Sequence, residues 1–333
     1  MSHEPLKALS WALPEDLSGK SVLFVGAQPL SGLSEADVTY LQGFYPFVQA
    51  LERQGASVAC DWPNGEMYDV VLLLAPQNLL AMQYQLAQSL LRLADDGILI
   101  AVAANDAGGK RLGKLLKSAG VAYDEESKEK CRIVFASKDS ADPSVIQDWI
   151  TQGSVQPILD GAYMSQPGIY GWDKLDKGSA LLAEHLPEKL KGTGADFGCG
   201  YGYLAQQVLT RYENIKTLYC IEADHNALAC AKENLSDYTD KTEFIWADLT
   251  AFTARLKTLD WVVMNPPFHE GKAADSEIGK AFISTAHRLM RKNAQLYMVA
   301  NTHLPYEAHL QDTFFKVEKA AEGSGFKVFI CTK

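Results

Sequence analysis

Short apolar runs alternate with longer amphipathic segments along the whole chain. The runs "VVLLLA" (70–75) and "LDWVVM" (259–264) have the length and the β-branched content of buried strands. The segment "HNALACAKENL" (225–235) instead repeats its apolar residues at helical spacing. Strands that alternate with helices in this way are typical of βαβ units, so the pattern predicts an α/β fold with a mostly parallel sheet.

The same succession of strands and turns occurs twice. "KSVLFVGAQP" (20–29) corresponds to "TGADFGCGYG" (193–202), and "YDVVLLLAPQN" (68–78) corresponds to "LDWVVMNPPF" (259–268). A chain of 333 residues is also too long for one ordinary core. We interpret the repeat as the duplication of one α/β domain, with the boundary in the polar stretch around 140–165.

The two predicted domains, residues 1–150 and residues 160–333, differ at their turns. The first has a single glycine, Gly26, where the second has three in "GCGYG". The first has Ala-Pro-Gln (75–77) where the second has Asn-Pro-Pro (265–267). A site built at these turns should therefore exist once, in the second domain.

The charge of the chain restricts its partners. Its net charge is −10 and its pI is about 5.2, so a nucleic acid would have to be bound locally rather than by the whole surface. One candidate is a basic stripe of Lys110, Lys114 and Lys117 at helical spacing, with Arg111 adjacent. The segment "HRLMRKN" (287–293) is a second candidate, and a solvated helix face is the alternative for both.

Cysteine usage and hydropathy bear on the compartment. Six cysteines are scattered without a CxxC pair, which argues against a zinc site or a disulfide framework, so no metal is expected. The N-terminus lacks a signal-peptide pattern, and the longest apolar run is too short to cross a bilayer. We expect a soluble, cytoplasmic protein without a membrane partner.

The segment "ADFGCGYGYLAQQVL" (195–209) has the pattern of a strand, a glycine turn and a helix. Gly198, Gly200 and Gly202 permit a tight turn and leave no Cβ to keep a ligand from the backbone. A turn with nothing bound and a dinucleotide site are the alternatives. The dinucleotide pattern is G-x-G-x-x-G, however, whereas G-x-G-x-G with Asp196 at the strand end is typical of S-adenosylmethionine (SAM) binding.

Three acidic residues follow the glycine turn. Glu222 ends the next predicted strand, twenty residues after Gly202, and its carboxylate can accept both hydroxyls of a ribose. Asp224 is better placed to cap the helix that follows. Asp248 is predicted to end a third strand, "FIWADL" (244–249), at the same edge of the sheet.

The sequence "MNPPFHEG" (264–271) predicts an unusual end to the fourth strand. An exocyclic amine on a nucleobase is a poor nucleophile, and its two N–H bonds need acceptors that turn the nitrogen lone pair toward the methyl donor. The Asn265 side-chain oxygen and the Pro266 carbonyl can accept them, and Phe268 can stack on the base. His269 could contact the base or a phosphate. Cys199 follows no proline, so nothing marks it as the nucleophile of a cytosine-C5 methyltransferase.

Four segments carry a resemblance to a known family. On "QPGIYGWDKLDKGSALL" (166–182), "DFGCGYGYLA" (196–205), "NPPFHEG" (265–271) and "VANTHLPY" (299–306), the chain resembles the RsmC/RlmG family of ribosomal RNA guanine-N2 methyltransferases. The resemblance covers both halves. It implies two tandem Rossmann-like class I SAM-methyltransferase domains, the N-terminal one a degenerate copy that serves RNA docking and structure.

The resemblance also implies an activity. It implies SAM-dependent methylation of a guanine N2 amine in 16S ribosomal RNA, within the small ribosomal subunit, by a monomer. An RlmG-like enzyme acting on 23S RNA is the alternative within the family. N6-adenine and glutamine-N5 methyltransferases share the Asn/Asp-Pro-Pro-aromatic turn, and a non-catalytic RNA-binding assembly protein is the alternative from another class.

One segment departs from the family. Its aromatic-Ser-Arg-Asp stretch is "YGWD" (170–173) here, so the arginine is missing. Asp176, Gly178 and Ser179 match the family, which implies that this segment closes over the methionine end of SAM.

Overall fold

The computed structural model describes residues 4–267 and 273–333, except for the side chains of 273–276. Two compact units are separated between Val155 and Gln156. Each unit contains a seven-stranded mixed sheet with helices, which confirms the predicted pair of α/β domains.

The first unit has five helices and seven strands among its described residues. They are α1 (Glu4–Trp11), β1 (Ser21–Val25), β2 (Asp37–Leu41), α2 (Tyr45–Glu52), β3 (Val58–Ala59), β4 (Tyr68–Leu74), α3 (Leu79–Leu90), β5 (Leu93–Ala104), α4 (Leu112–Ser118), β6 (Tyr123–Lys128), β7 (Cys131–Ala136) and α5 (Pro143–Gly153). The strand order is β3-β2-β1-β4-β5-β7-β6. All neighbours pair in parallel except β7, which is antiparallel to both β5 and β6.

The second unit begins with a small hairpin and then repeats this arrangement. Its elements are β8 (Gln156–Ile158), β9 (Tyr163–Ser165), α6 (Lys177–Glu184), β10 (Gly192–Phe197), α7 (Tyr203–Arg211), β11 (Ile215–Glu222), α8 (His225–Asn234), β12 (Thr242–Trp246), β13 (Leu259–Met264), α9 (Ala273–Leu289), β14 (Met290–Asn301), α10 (Tyr306–Thr313), β15 (Lys316–Gly323) and β16 (Phe326–Thr332). The sheet order is β12-β11-β10-β13-β14-β16-β15, with the same parallel and antiparallel pairing.

Burial on both faces explains the apolar runs of the central strands. In β13, Val262 and Met264 belong to one hydrophobic cluster, while Trp261 and Val263 belong to the cluster on the other face. All four side chains are at most 2% exposed. Parallel strands covered by helices on both faces lose the polar alternation of half-exposed strands, so they appear as continuous apolar runs.

The pairing registers correct one equivalence between the halves. Strand β4 pairs with β1, and β13 pairs with β10. In these two pairings Leu73 and Met264 occupy the same position along the strand. The next residues, Leu74 and Asn265, are therefore equivalent. Comparison of the motifs Ala-Pro-Gln (75–77) and Asn-Pro-Pro (265–267) instead makes Ala75 equivalent to Asn265, which is one residue too far along the chain.

Two predicted elements end differently in the structure. The third strand ends at Trp246, two residues before Asp248, because the Asp248 side chain caps a 3₁₀ turn at Leu249–Ala251. The basic stripe is not one continuous helix, because Gly108 has a φ of 94° and a separate 3₁₀ turn follows it. Lys110 and Arg111 lie in that turn, ahead of α4. None of the helices in residues 4–267 and 273–333 has the length and apolar character needed to cross a membrane.

Candidate active site

Four parallel strands end at one edge of the second sheet. The strands β12, β11, β10 and β13 are adjacent and parallel, so their carboxyl ends lie side by side. Open α/β sheets bind their ligands at this edge. Asp196, Glu222 and Asn265 lie at or directly after the ends of β10, β11 and β13. The sequence prediction that these residues share one edge is therefore confirmed.

The glycine turn adopts the geometry for which glycine is required. Gly198, Gly200 and Gly202 have φ values of 71°, 55° and 93°, in the left-handed region. The backbone N–H groups of Gly198 and Cys199 both donate to the carbonyl of Ile221, at 2.8 and 3.2 Å, which ties the turn to β11. A Cβ built on Gly200 would meet nothing within 4 Å, so the space beside this residue is open.

Asp196 is a buried carboxylate that lacks a well-formed hydrogen bond. Its side chain is 1% exposed, and neither carboxylate oxygen has a partner among the described residues. Burial raises the pKa of Asp196 to about 8, although the backbone N–H of Ala205 in α7 opposes the shift. An unpaired carboxylate is costly to bury, and a cationic or donor-rich ligand would relieve that cost. SAM is such a ligand, since it carries an ammonium and a sulfonium.

Glu222 connects the glycine turn to the start of α8. One carboxylate oxygen accepts from the Gly200 N–H at 2.8 Å. The other accepts from the N–H groups of Ala223 and Asp224 at 2.7 and 3.0 Å. Burial raises the pKa of Glu222, and these backbone donors oppose the shift. Since a carboxylate has about four lone-pair sites and three are used here, Glu222 retains acceptor capacity for one ribose hydroxyl.

The other two acidic residues serve as helix caps. Asp224 accepts from the N–H groups of Asn226 and Ala227 at 2.8 and 3.2 Å, which confirms its predicted role as the N-cap of α8. Asp248 accepts from the N–H and hydroxyl of Thr250 at 2.8 and 2.6 Å through one oxygen. Its contact with the cofactor remains a prediction.

The Asn265 amide is anchored from its nitrogen. Nδ2 donates to Oδ2 of Asp176 at 2.7 Å and to Oγ of Ser179 at 2.9 Å. A carboxylate accepts but cannot donate, so the amide nitrogen must face Asp176. Asp176 is itself the N-cap of α6 and accepts from the Ser179 N–H at 2.7 Å.

The anchored nitrogen leaves the Asn265 oxygen available. Oδ1 is buried and has no hydrogen-bond partner in the described part of the chain. Pro266, the next residue, is buried and has no N–H to donate. A buried amide oxygen without a donor is destabilising by roughly 1–3 kcal/mol. A ligand N–H placed against Oδ1 would remove this cost.

Sequence reasoning missed how the matching segment contacts Asn265. The resemblance assigns Asp176, Gly178 and Ser179 to the cofactor, which stays a prediction, and the structure shows in addition that Asp176 and Ser179 bind the Asn265 amide. A Cβ on Gly178 would lie 2.8 Å from the ring of Phe326, so this glycine permits close packing. The spacing of Asp176 and Ser179 signals a helix cap, but nothing in the sequence indicates a partner 89 residues away.

Two aromatic residues of the "YGWD" stretch lie near this segment. The Tyr170 hydroxyl is 3.5 Å from Oδ1 of Asp176, and the side chain is 59% exposed. Burial of the hydroxyl and the nearby Asp176 charge raise the pKa of Tyr170 to about 12. Trp172, at the position of the missing arginine, packs against a hydrophobic cluster that includes Tyr163 and Tyr201.

The predicted RNA-contacting residues have different outcomes. Lys110, Arg111, Lys114 and Lys117 are all exposed, so a solvated face and an RNA contact both remain open. In the second basic segment, Arg288 donates to a backbone carbonyl at 2.6 Å and Arg291 pairs with Asp260 at 2.6 Å, while Lys292 is exposed. Two residues of the predicted substrate site, Phe268 and His269, lie outside the described residues.

The cysteines make no redox or metal site in the described chain. All six thiols are free, and five of them are buried. A hydrogen bond with Cys220, together with burial, raises the pKa of the Cys199 thiol, so it is not a thiolate nucleophile. Residues 4–267 and 273–333 contain no cluster of three His, Cys, Asp or Glu side chains that could hold a metal ion.

Comparison with known proteins gives matches over both units. The family model "Methyltransferase small domain" matches residues 160–330, and "Methyltransferase small domain N-terminal" matches residues 14–152. Ribosomal RNA small subunit methyltransferase C of Shewanella piezotolerans is 31% identical over 274 residues, which cover 80% of this chain and 78% of that protein. Its namesake in Shewanella denitrificans is 28% identical, with 87% and 86% covered.

A solved structure supports the fold over the same extent. The T. thermophilus 16S rRNA N2 G1207 methyltransferase (RsmC), in complex with AdoMet and guanosine, is 22% identical and superposes with a TM-score of 0.83. The match covers 99% of this chain and 91% of that one, and at this identity it shows the fold alone. The chain thus belongs to the methyltransferase small domain family, among the ribosomal RNA small subunit methyltransferase C proteins.

Proposed function

We propose that this protein transfers a methyl group from SAM to the exocyclic N2 amine of a guanine in 16S ribosomal RNA. The observation that carries the proposal is the buried Asn265 oxygen, which has no partner among the described residues although the same amide is anchored through its nitrogen. Such an oxygen is an acceptor held ready for a donor on the substrate.

The cofactor end of the site fits SAM. When bound, SAM supplies a methyl group on a positively charged sulfur that leaves readily. Asp196 offers a buried carboxylate to a cation, and the open side of Gly200 allows close approach to the backbone. Glu222 is the proposed acceptor for the ribose, a role supported by its carboxylate being held at the strand end by three backbone N–H groups.

The substrate end of the site acts by positioning. The lone pair of a guanine N2 amine is delocalised into the ring, so the nitrogen reacts only when it is oriented toward the methyl group. Oδ1 of Asn265 accepts one N–H and the carbonyl of Pro266 accepts the other, which orients the lone pair and stabilises the developing positive charge. Phe268 is assigned to stack on the base.

Ribosomal RNA as the substrate follows the named activity of the relatives, which are ribosomal RNA small subunit methyltransferases. The first unit and its basic stripe are assigned to RNA docking, since all four stripe residues are exposed. We place the reaction on the small ribosomal subunit in the cytoplasm. The enzyme is proposed to act as a monomer, as the family resemblance implies.

Methyl transfer to defined substrates tests this function. Small subunits, naked 16S RNA and naked 23S RNA from cells lacking the protein would each be incubated with the enzyme and labelled SAM. Digestion and mass spectrometry should yield N2-methylguanosine from the small-subunit samples, and the Asn265→Ala variant should form it about a hundredfold more slowly, or more slowly still. Label in 23S RNA would favour the RlmG-like alternative, and N6-methyladenosine would contradict the guanine assignment. RNA binding without any transfer would indicate an assembly protein.

A further inference from the structure

The two ends of the Asn265 amide have opposite environments. Nδ2 is bound by Asp176 and Ser179, at 2.7 and 2.9 Å, whereas Oδ1 has no partner in the described chain. We propose that Asp176 is the positioning residue that fixes this orientation, and that its carboxylate requires an amide rather than a carboxylate at position 265. This inference rests on the proposed function, because the orientation matters only if Oδ1 accepts the substrate amine.

Orientation matters because the two ends of an amide resemble each other in shape. A rotation of 180° about χ2 would exchange Oδ1 and Nδ2 and present a donor to an amine that itself donates. Asp176 prevents this exchange, since a rotated Asn265 would place its oxygen against a carboxylate oxygen. The Ser179 hydroxyl can accept from the amide nitrogen or donate to the amide oxygen and so fits either arrangement, which means that Asp176 provides the discrimination and Ser179 adds an anchor.

Asp176 can fix the orientation of the Asn265 amide because its own carboxylate is held in place. Its Oδ2 accepts from the backbone N–H of Ser179 at 2.7 Å, as the N-cap of α6. The first turn of that helix is packed through Gly178 against the ring of Phe326. A carboxylate held by backbone and helix packing gives the amide a fixed reference, which a mobile surface acid would not.

In the described part of the chain, no ion pair at Asp176 would offset a second negative charge. The titratable groups that face it are the hydroxyls of Tyr170 and Tyr201, and burial raises the pKa of both. Lysine and arginine side chains of the described residues form no ion pair with Asp176. Within the described residues, a carboxylate at position 265 would therefore face Asp176 without a compensating ion pair.

This environment makes Asn265→Asp a discriminating variant. Two carboxyl groups at hydrogen-bond distance share one proton, because both cannot ionise there at moderate cost. With that proton between the groups, the new side chain keeps an oxygen toward the substrate. Loss of the proton at higher pH produces two facing charges and displaces the side chain. Turnover of this variant should therefore fall about tenfold per pH unit above the apparent pKa of the pair.

Exchanging the two side chains should restore the arrangement. In the double variant Asp176→Asn/Asn265→Asp, the amide at 176 donates to the carboxylate at 265, whose second oxygen faces the substrate. Because Oδ2 of Asp176 serves both the Ser179 N–H and the Asn265 amide, an amide at 176 that donates to position 265 gives up the cap of α6, which should lower stability by about 1 kcal/mol without removing the contact at position 265. Asp142→Asn, at the N-cap of α5, is a matched control for the loss of a capping charge.

The experiment measures kcat from pH 6 to 9 on the full-length chain, with small subunits as substrate and SAM affinity by calorimetry. At pH 8 we expect Asn265→Asp to lose about a hundredfold or more, Asp176→Asn about tenfold, and Ser179→Ala a few-fold. The double variant should be within about tenfold of wild type with a wild-type pH profile, and Asp142→Asn unchanged. Asn265→Asp and Asp142→Asn should bind SAM within about threefold of wild type, and turnover of every variant is compared at saturating SAM.

Two results would overturn the inference, and they differ from each other. If Asn265→Asp is at least as active at pH 8 as the double variant, Asp176 does not select the amide. If Asn265→Ala keeps wild-type turnover, the proposed role of Asn265 is itself wrong, and the positioning role is lost with it. If the double variant fails to fold, the pH profile of Asn265→Asp alone still decides the matter, because a purely structural defect would not be recovered at low pH.

Discussion

The two units share a scaffold but differ where their sheets present a ligand edge. In the first, the carboxylate of Asp69 accepts from the N–H of Ser21 at 2.8 Å. In the second, Asp260 accepts from the N–H of Thr193 at 2.7 Å, at the equivalent position. These bonds hold the first strand of each sheet to its neighbour, far from the carboxyl edge. A contact that serves only the fold has persisted in both copies.

At the carboxyl edge of its sheet, the first unit has an apolar side chain or hydrogen bonds within the protein where the second unit has acidic residues. Phe24 occupies the position of Asp196, by strand register, and it is fully buried. Gln42 occupies the position of Glu222. Its amide donates to the Ala27 carbonyl at 2.8 Å, and its oxygen accepts from the Phe44 N–H at 2.8 Å. Neither position therefore needs a ligand to satisfy a buried polar group.

The second unit instead keeps polar atoms without protein partners. The carboxylate of Asp196 and Oδ1 of Asn265 are buried and unpaired in the described chain. Unsatisfied groups of this kind reduce stability, and in a duplicated fold a copy without a ligand has no reason to retain them. The difference indicates that function, not folding, maintains the polar edge of the second unit.

The largest effect should come from the pair Asn265 and Leu74, which occupy equivalent positions. Asn265→Ala removes an acceptor that acts mainly as the amine nitrogen develops charge, so kcat should fall about a hundredfold or more, roughly 3 kcal/mol. SAM affinity should stay nearly unchanged. Steady-state kinetics with saturating RNA and SAM provide the measurement.

The matched variant Leu74→Ala should leave kcat at the wild-type value. If both substitutions reduced turnover equally, the site would not be confined to the second unit, and the comparison would fail at its central point. Equal turnover of Asn265→Ala and wild type would instead remove this residue from the amine site.

A smaller effect is expected for the acid of the second strand. Glu222→Ala should weaken SAM binding about ten- to a hundredfold, because hydrogen bonds to a charged acceptor contribute roughly 1.5–3 kcal/mol. Turnover should be partly recovered at high SAM. Gln42→Ala, the matched change in the first unit, should leave SAM affinity unaltered.

Calorimetry on the full chain checks this prediction directly. We expect one SAM per chain, with an affinity that changes only for Glu222→Ala. A second binding event that is lost in Gln42→Ala would show that the first unit has kept a cofactor site.

The buried Asp196 predicts a pH dependence with a definite sign. Its pKa is raised to about 8, so the folded protein holds a proton that the unfolded chain has already lost above pH 4. Stability without ligand should therefore fall as pH rises from about 4 to 8. SAM favours the ionised carboxylate, so its affinity should increase about tenfold per pH unit up to about pH 8 and then level off.

Asp196→Asn separates this group from Glu222, whose pKa burial also raises. The variant cannot ionise, so the part of the slope that belongs to Asp196 should disappear. A slope that survives unchanged in Asp196→Asn would assign the titration to another group.

Much of the fold and part of the site could be predicted because local patterns determine them. The period of apolar residues indicated the central strands, and glycine spacing indicated a turn with left-handed φ values at Gly198, Gly200 and Gly202. Side-chain capping was harder to place. Asp248 was predicted to end a strand, but its side chain competes for the backbone and ends β12 at Trp246.

Long-range contacts could not be predicted from one sequence. The bond between Asp176 and Asn265 joins residues 89 positions apart, and neither its existence nor its direction follows from local propensity. The same holds for the match between Leu74 and Asn265, which depends on strand register rather than on the alignment of short motifs.

The smallest effect concerns the first unit's own role. Lys110, Lys114 and Lys117 are exposed, and reversing all three to Glu should weaken RNA binding about tenfold at moderate salt. For every lysine that binds a phosphate, its reversal should reduce the slope of log K against log salt by roughly 1. SAM affinity should not change, because the stripe lies in the unit that lacks the polar edge.

A more negative net charge would by itself weaken RNA binding. The control variant must therefore change the net charge by the same amount as the reversal of the stripe. Lys7, Lys20 and Arg53 are exposed in the same unit, and their reversal alters the total by the same amount. If the stripe contacts phosphates, its reversal lowers the salt slope more than the control does, since slope counts released ions rather than total charge. Equal slopes for the two triple variants would identify the stripe as a solvated helix face. The first unit would then keep its fold for a reason other than RNA docking through the basic stripe.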